Sequence, residues 1–135
     1  MIVVDTNLIA YLFIHGEYSD MAEKAFLKDS LWVAPILWRS ELRNVLMKCL
    51  KDKHFQFEDA VQIMREAESL MKTGEYMLDS LEVLSLAAST NCSAYDAEFV
   101  VLAQEIGIPL VTMDRKILKT FPKTALSLER FTEVG

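Results

Sequence analysis

A mainly parallel sheet held between helical layers, an α/β fold, is what this sequence predicts, and three observations predict it. Short apolar or β-branched runs alternate with longer segments of helical character. The first run, Ile2-Val3-Val4, is continuously apolar rather than alternating, as in a strand covered on both faces. Two of the runs end in aspartate, Asp5 and Asp114, at the carboxyl edge where open α/β sheets gather their ligands.

Taken in order, Ile2 to Val4 reads as a strand that ends in Asp5-Thr6-Asn7, good capping chemistry for a helix over Leu8 to Phe13. A second helix covers about Ser19 to Lys28. Leu31 to Ala34 is a strand, and Pro35 opens a long helix toward Lys51. A further helix runs from Glu58 to Lys72 and stops at Gly74. Tyr76-Met77-Leu78 forms a short strand before a helix over Ser80 to Ala88. The helix carrying Asp96 stops at Gly107, and Pro109 to Met113 is the clearest late strand. A short helix over Arg115 to Thr120 and a weak strand over Ala125 to Leu128 complete the chain.

The 135 residues, 52% hydrophobic, suit one domain spanning 1–135 with a sizeable core. Gly and Pro are scarce, which excludes collagenous, low-complexity and disordered classes. The apolar opening lacks a basic leader and a cleavage site and is interrupted by Asp5, so it reads as a mature N-terminus. No apolar run approaches the roughly 20 residues of a membrane span. Cys49 and Cys92 lack any zinc-like spacing and read as reduced thiols of a cytosolic protein. A formal charge of −6 argues against nucleic acid only if the acids are spread out. Collected around a divalent ion, they would present a reversed local field to a phosphate.

Asp96 poses the sharpest question. On a helix it shares a face with Phe99, Val100 and Ala103, and an unpaired carboxylate buried there costs several kcal/mol. Something positive is expected beside it. Glu98 points elsewhere and needs no partner. Glu41, in Trp38-Arg39-Ser40-Glu41-Leu42-Arg43, lies on the flank of the apolar stripe formed by Leu42, Val45, Leu46 and Cys49.

Each acid has a plain structural explanation of its own. Asp5 and Asp114 suit helix N-caps, Asp96 favours a helix dipole, and Glu41 suits a solvated flank. Together, two acids at strand ends and two on helices can meet in one pocket if the sheet is parallel. Such a cluster repels itself unless a cation sits among its members. An all-oxygen set without His or Cys selects Mg²⁺ or Mn²⁺ rather than zinc. An ion so held keeps waters that can be activated beside a phosphate, which implies phosphodiester hydrolysis.

The opening VVDTN with Asp5, Glu41 in WRSELRNVL, Asp96 in YDAEFVVLA and Asp114 in IPLVTMD, in that order and spacing, resemble the PIN-domain nucleases over nearly the whole chain, especially the VapC-type toxins of toxin–antitoxin pairs. The resemblance implies a three-layer α/β/α domain that cuts RNA with Mg²⁺ or Mn²⁺. Asp5, Glu41, Asp96 and Asp114 inherit the role of metal ligands, and Asn7 and Thr112 match positions where a polar group lines the site. It also implies a homodimer and a small antitoxin partner. Many relatives carry another acid soon after the position of Asp114. Arg115 and Lys116 stand there instead, so one firm ion is expected and at most a weak or substrate-assisted second.

Arg39 and Arg43, one turn apart beside Glu41, are candidate contacts to RNA phosphates or to an antitoxin carboxylate. His15 and His54 are too isolated to be ligands, and no aromatic platform identifies a preferred base. Two other readings compete: a non-catalytic PIN-like module that binds protein or RNA, and an aspartyl-phosphate phosphatase. The second is disfavoured because Asn7 stands where such enzymes place another aspartate.

Overall fold

The computed structural model describes residues 1–133. In chain order the elements are β1 (Ile2–Val4), α1 (Thr6–Phe13), α2 (Ser19–Lys28), β2 (Trp32–Pro35), α3 (Trp38–Lys51), α4 (Phe57–Met71), β3 (Glu75–Tyr76), α5 (Ser80–Thr90), α6 (Ala94–Ile106), β4 (Leu110–Thr112), α7 (Arg115–Thr120), β5 (Ala125–Ser127) and α8 (Leu128–Glu133). The strands form one five-stranded sheet in the order β3-β2-β1-β4-β5, and every neighbouring pair is parallel.

That order dictates the layers. From β1 the chain steps outward through β2 to β3, and right-handed crossovers put α1 to α4 on one face. It then returns across the sheet to β4, which reverses direction and puts α5 and α6 on the other. The contacts agree: α1 packs on β1 and β4, α4 on β2, and α6 on β1, β2 and β4 with α5 behind it. The reversal leaves a crevice between the carboxyl ends of β1 and β4, the place where doubly wound sheets bind ligands. Val3 pairs with Leu110 and Val4 with Val111, so Asp5 follows β1 level with Thr112.

The strands are short and wholly buried in the sheet centre, which is why they lack alternation. Pro35 closes β2 rather than opening α3. The strand runs one residue further so that Pro35 can pair with Tyr76, and the amide of Ile36 then donates to the Tyr76 carbonyl at 2.9 Å before the chain turns into α3. The third strand shrinks to Glu75–Tyr76, because Met77 has left the sheet and is 86% exposed. Leu128 belongs to α8 rather than to the last strand, and that six-residue helix buries Leu128 and Phe131. Gly74 is required by packing: a Cβ there would lie 2.3 Å from the Trp32 carbonyl oxygen. No helix among the described residues is long and apolar enough to cross a membrane.

Candidate active site

Asp5 leaves β1 directly into α1 and caps it. Its Oδ1 accepts from the Leu8 amide at 3.1 Å, and its Oδ2 accepts from the Thr112 hydroxyl. Thr112 in turn accepts, through the same Oγ1, from the backbone amide of Asp114 at 3.0 Å. Asp114 caps α7 by accepting from the Ile117 amide at 3.0 Å. Both oxygens of Asp5 are thus engaged, one by the cap and one by Thr112, whereas the cap of α7 occupies one oxygen of Asp114.

Glu41 reaches the same edge from the first turn of α3, where Thr6 Oγ1 donates to its Oε1 at 2.7 Å. Asp96 sits in the first turn of α6, which Ser93 caps by accepting from the Asp96 amide at 3.0 Å. Phe99, Val100 and Ala103 on the same helix are buried, and Asp96 is half-buried at their end. Asp5, Glu41, Asp96 and Asp114 all line one cavity of about 230 Å³, with Thr6, Asn7, Asn44, Val45, Phe99 and Ile117 completing the wall.

The electrostatics are those of crowded acids. Burial pushes the Asp5 carboxyl up to about 6, opposed by its bonds from Thr112 and Leu8 and reinforced by Asp114 and Glu41. Burial also raises Glu41, with the Thr6 hydrogen bond pulling it down and Asp96 pushing it up. Asp96 is raised by burial and by Asp114, while the Lys116 ammonium acts in the opposite sense. Among the described residues no three Asp, Glu, His or Cys side chains are drawn together tightly enough to form a ready metal cluster. The four acids therefore share a cavity without a preformed coordination shell. Their donor set still fits Mg²⁺ or Mn²⁺, which bind through one or two carboxylates and keep much of their water.

The other candidate residues divide between the cavity wall and its surroundings. Thr112 is fully buried and sits beneath the cavity, where it ties Asp5 to Asp114 rather than lining the wall. Asn7 is exposed on the wall itself. Arg39, a candidate RNA or antitoxin contact, is engaged within the fold. Its Nε and NH2 group hold Glu75 on β3 at 2.5 and 2.8 Å, its NH1 group holds Glu68 on α4 at 2.6 Å, and this engages the guanidinium on both sides. The indole of Trp38 joins by donating to Glu75 at 2.9 Å. Arg43 is exposed and takes part in none of the ion pairs among the described residues.

Sequence reading missed Thr6, Asn44 and Glu98. Thr6 and Asn44 could have been found from spacing, one beside Asp5 and one a helical turn beyond Glu41. Glu98 points away from the carboxylate cavity, as expected, and lines a second one. It is half-buried, and burial and the nearby Glu41 both raise it.

A family model described as PIN domain matches residues 2–123. Ribonuclease VapC3 from Pyrobaculum aerophilum is 29% identical over 124 residues, which cover 90% of this chain and 95% of that protein. Among solved structures, PAE2754 from Pyrobaculum aerophilum is similar with a TM-score of 0.78 and 24% identity, over 98% of this chain and 86% of that one. A toxin-antitoxin complex from Klebsiella pneumoniae gives a TM-score of 0.69 and 18% identity, over 95% of this chain and 98% of the other. The structural likenesses show the fold.

Proposed function

The chain belongs to the PIN domain family, and from that premise we propose that it is a divalent-metal-dependent endoribonuclease, the toxin of a toxin–antitoxin pair. The observation that carries the reading is the lining of one cavity by Asp5, Glu41, Asp96 and Asp114 at the carboxyl edge of the sheet. The similarity to a ribonuclease and to a protein of a toxin-antitoxin complex supports the same reading.

Mg²⁺ or Mn²⁺ would be held by these four carboxylates. When bound, it would supply charge neutralisation at the phosphate and an activated water. The chain's own groups divide the remaining work. Asp5 and Asp114 are anchored, each with one oxygen committed to a helix cap. Glu41 and Asp96 reach the cavity from two different helices, so the four acids close on it from separate elements of the fold. Asn7 and Asn44 on the wall, and the exposed Arg43 on the same helix as Asn44, suit phosphate contacts that hold the strand without reading sequence. Arg43 is equally suited to an antitoxin carboxylate. A cytoplasmic location and a second copy as partner belong to the same proposal. The free thiols of Cys49 and Cys92 suit the first, and a solution mass tests the second.

Cleavage of a total RNA pool, with added Mg²⁺ and with chelator, tests this. The ion should be required, and Asp5→Asn or Asp96→Asn should lower the rate at least about 100-fold while the circular dichroism spectrum stays unchanged. Full activity in either variant, or in chelator, would refute the assignment. A second reading, a non-catalytic module, is favoured by the lack of a ready metal cluster among the described residues and by Arg115 and Lys116 beyond Asp114. It predicts RNA or protein binding with no cutting under any ion.

A further inference from the structure

The first turns of α6 separate two cavities. Asp96 and Phe99 face the carboxylate cavity, while Ala94 and Glu98, one turn apart, face a second cavity of about 320 Å³. Its walls are otherwise mainly apolar: Ile36 from the corner after β2, Met77 and Leu78 from the segment after β3, and Val83 and Leu84 from α5. Met77 and Leu84 are 86% and 62% exposed, so the pocket opens to solvent. Glu98 is its single acidic group, half-buried and with no hydrogen-bond or ion-pair partner among the described residues. The two cavities adjoin, since Asp96 on one and Glu98 on the other are two residues apart in α6.

A largely apolar slot with one carboxylate and the Ser80 hydroxyl on its wall, beside a site that would hold a phosphate, has the chemistry of a nucleobase pocket. Apolar walls cover the faces of a planar ring, and a carboxylate accepts from an exocyclic amino group, where uracil presents a carbonyl oxygen that would repel it. We propose that this cavity receives a base flanking the scissile phosphate and that Glu98 selects for one bearing an exocyclic amino group over uracil. The proposal rests on the ribonuclease reading above. A second copy or an apolar helix fits less well, because either would bury the Glu98 carboxylate without a partner beside a second acid. A base's own donors satisfy it. Tyr95, 63% exposed between Ala94 and Asp96, adds an aromatic ring on the same turn, on which a neighbouring base can stack.

The test maps the cut ends of an RNA pool for the wild type, Glu98→Gln and Leu84→Asp, and measures each protein's mass in solution. The wild type should disfavour uracil by roughly five- to tenfold at one position next to the cut. Glu98→Gln should reduce that ratio to near unity, because an amide both donates and accepts. Leu84→Asp should slow cutting by adding a second anion to the slot, with no change in mass. A wild type that cuts without discrimination, or a Glu98→Gln protein that keeps the full ratio, overturns the inference and leaves the nuclease reading intact. So does a Leu84→Asp protein that falls to half the mass, or loses an antitoxin, with its base ratio unchanged, because a protein partner would then be the occupant. A wild type that cuts nothing with Mg²⁺ or Mn²⁺ overturns the nuclease reading itself, and this inference with it.

Discussion

Thr112 connects the two strand-end aspartates: its hydroxyl donates to Asp5 Oδ2 and accepts the backbone amide of Asp114 at 3.0 Å. One side chain, fully buried, thus sets the spacing between two of the four acids that line the cavity.

Replacing Thr112 with valine keeps the shape and removes both bonds. The Asp114 amide loses its acceptor and Asp5 loses a donor, at a cost of about 1–3 kcal/mol. Thr112→Ser should restore both bonds and remain within about 1 kcal/mol of the wild type. Urea unfolding distinguishes the two, and cleavage should fall in the valine variant and recover in the serine one. Equal stability for all three would show that the bridge holds nothing.

Asp5 makes stability depend on pH in an unusual direction. A carboxyl raised from an ordinary 3.8 to about 6 binds its proton more firmly folded than unfolded. Its contribution is therefore complete below about pH 4 and disappears as the pH climbs through 6, a loss of roughly 3 kcal/mol. In chelator, the wild type should lose stability relative to Asp5→Asn across pH 4 to 6.5, and saturating Mn²⁺ should recover it near neutrality. Parallel pH profiles for the two proteins would contradict this cause.

The two arginines of α3 should separate cleanly. Arg39 is partly exposed, so its ion pairs with Glu75 and Glu68 are screened, and Arg39→Ala should cost about 1–2 kcal/mol in unfolding. Arg43→Ala should leave stability within about 0.5 kcal/mol and weaken RNA binding. Binding measured with a cleavage-dead Asp5→Asn background checks both. The reverse pattern would return Arg39 to the role of a phosphate contact.

Gly74 offers a test of the fold alone. A methyl group there meets the Trp32 carbonyl at 2.3 Å, backbone that cannot swing aside. Gly74→Ala should cost more than about 2 kcal/mol. A neutral substitution would mean that β3 is free to move away from β2.

Much of this was legible in the sequence because parallel sheets leave a simple trace. The apolar runs of β1, β2 and β4 announce burial on both faces, and the aspartates that follow β1 and β4 announce the carboxyl edge. Asp96 was legible because it breaks an apolar helical arc. What stayed hidden is set by contacts distant along the chain. Nothing near Arg39 reveals that Glu75, 36 residues later, takes up its guanidinium. Six-residue α8 is too short for periodicity to show, and Pro35 looked like a helix start because the pairing that keeps it in β2 is made by Tyr76. Nothing around Glu98 in the sequence marked it, because its apolar surroundings come from α5 and from the segment after β3.

The most direct measurement is a calorimetric Mn²⁺ titration of the wild type, Asp5→Asn and Asp96→Asn near neutral pH. If the four carboxylates act as one cation site, the wild type should bind about one ion per chain, and each variant should weaken binding at least about tenfold. Wild-type binding that never saturates, or that both variants retain unchanged, would contradict it.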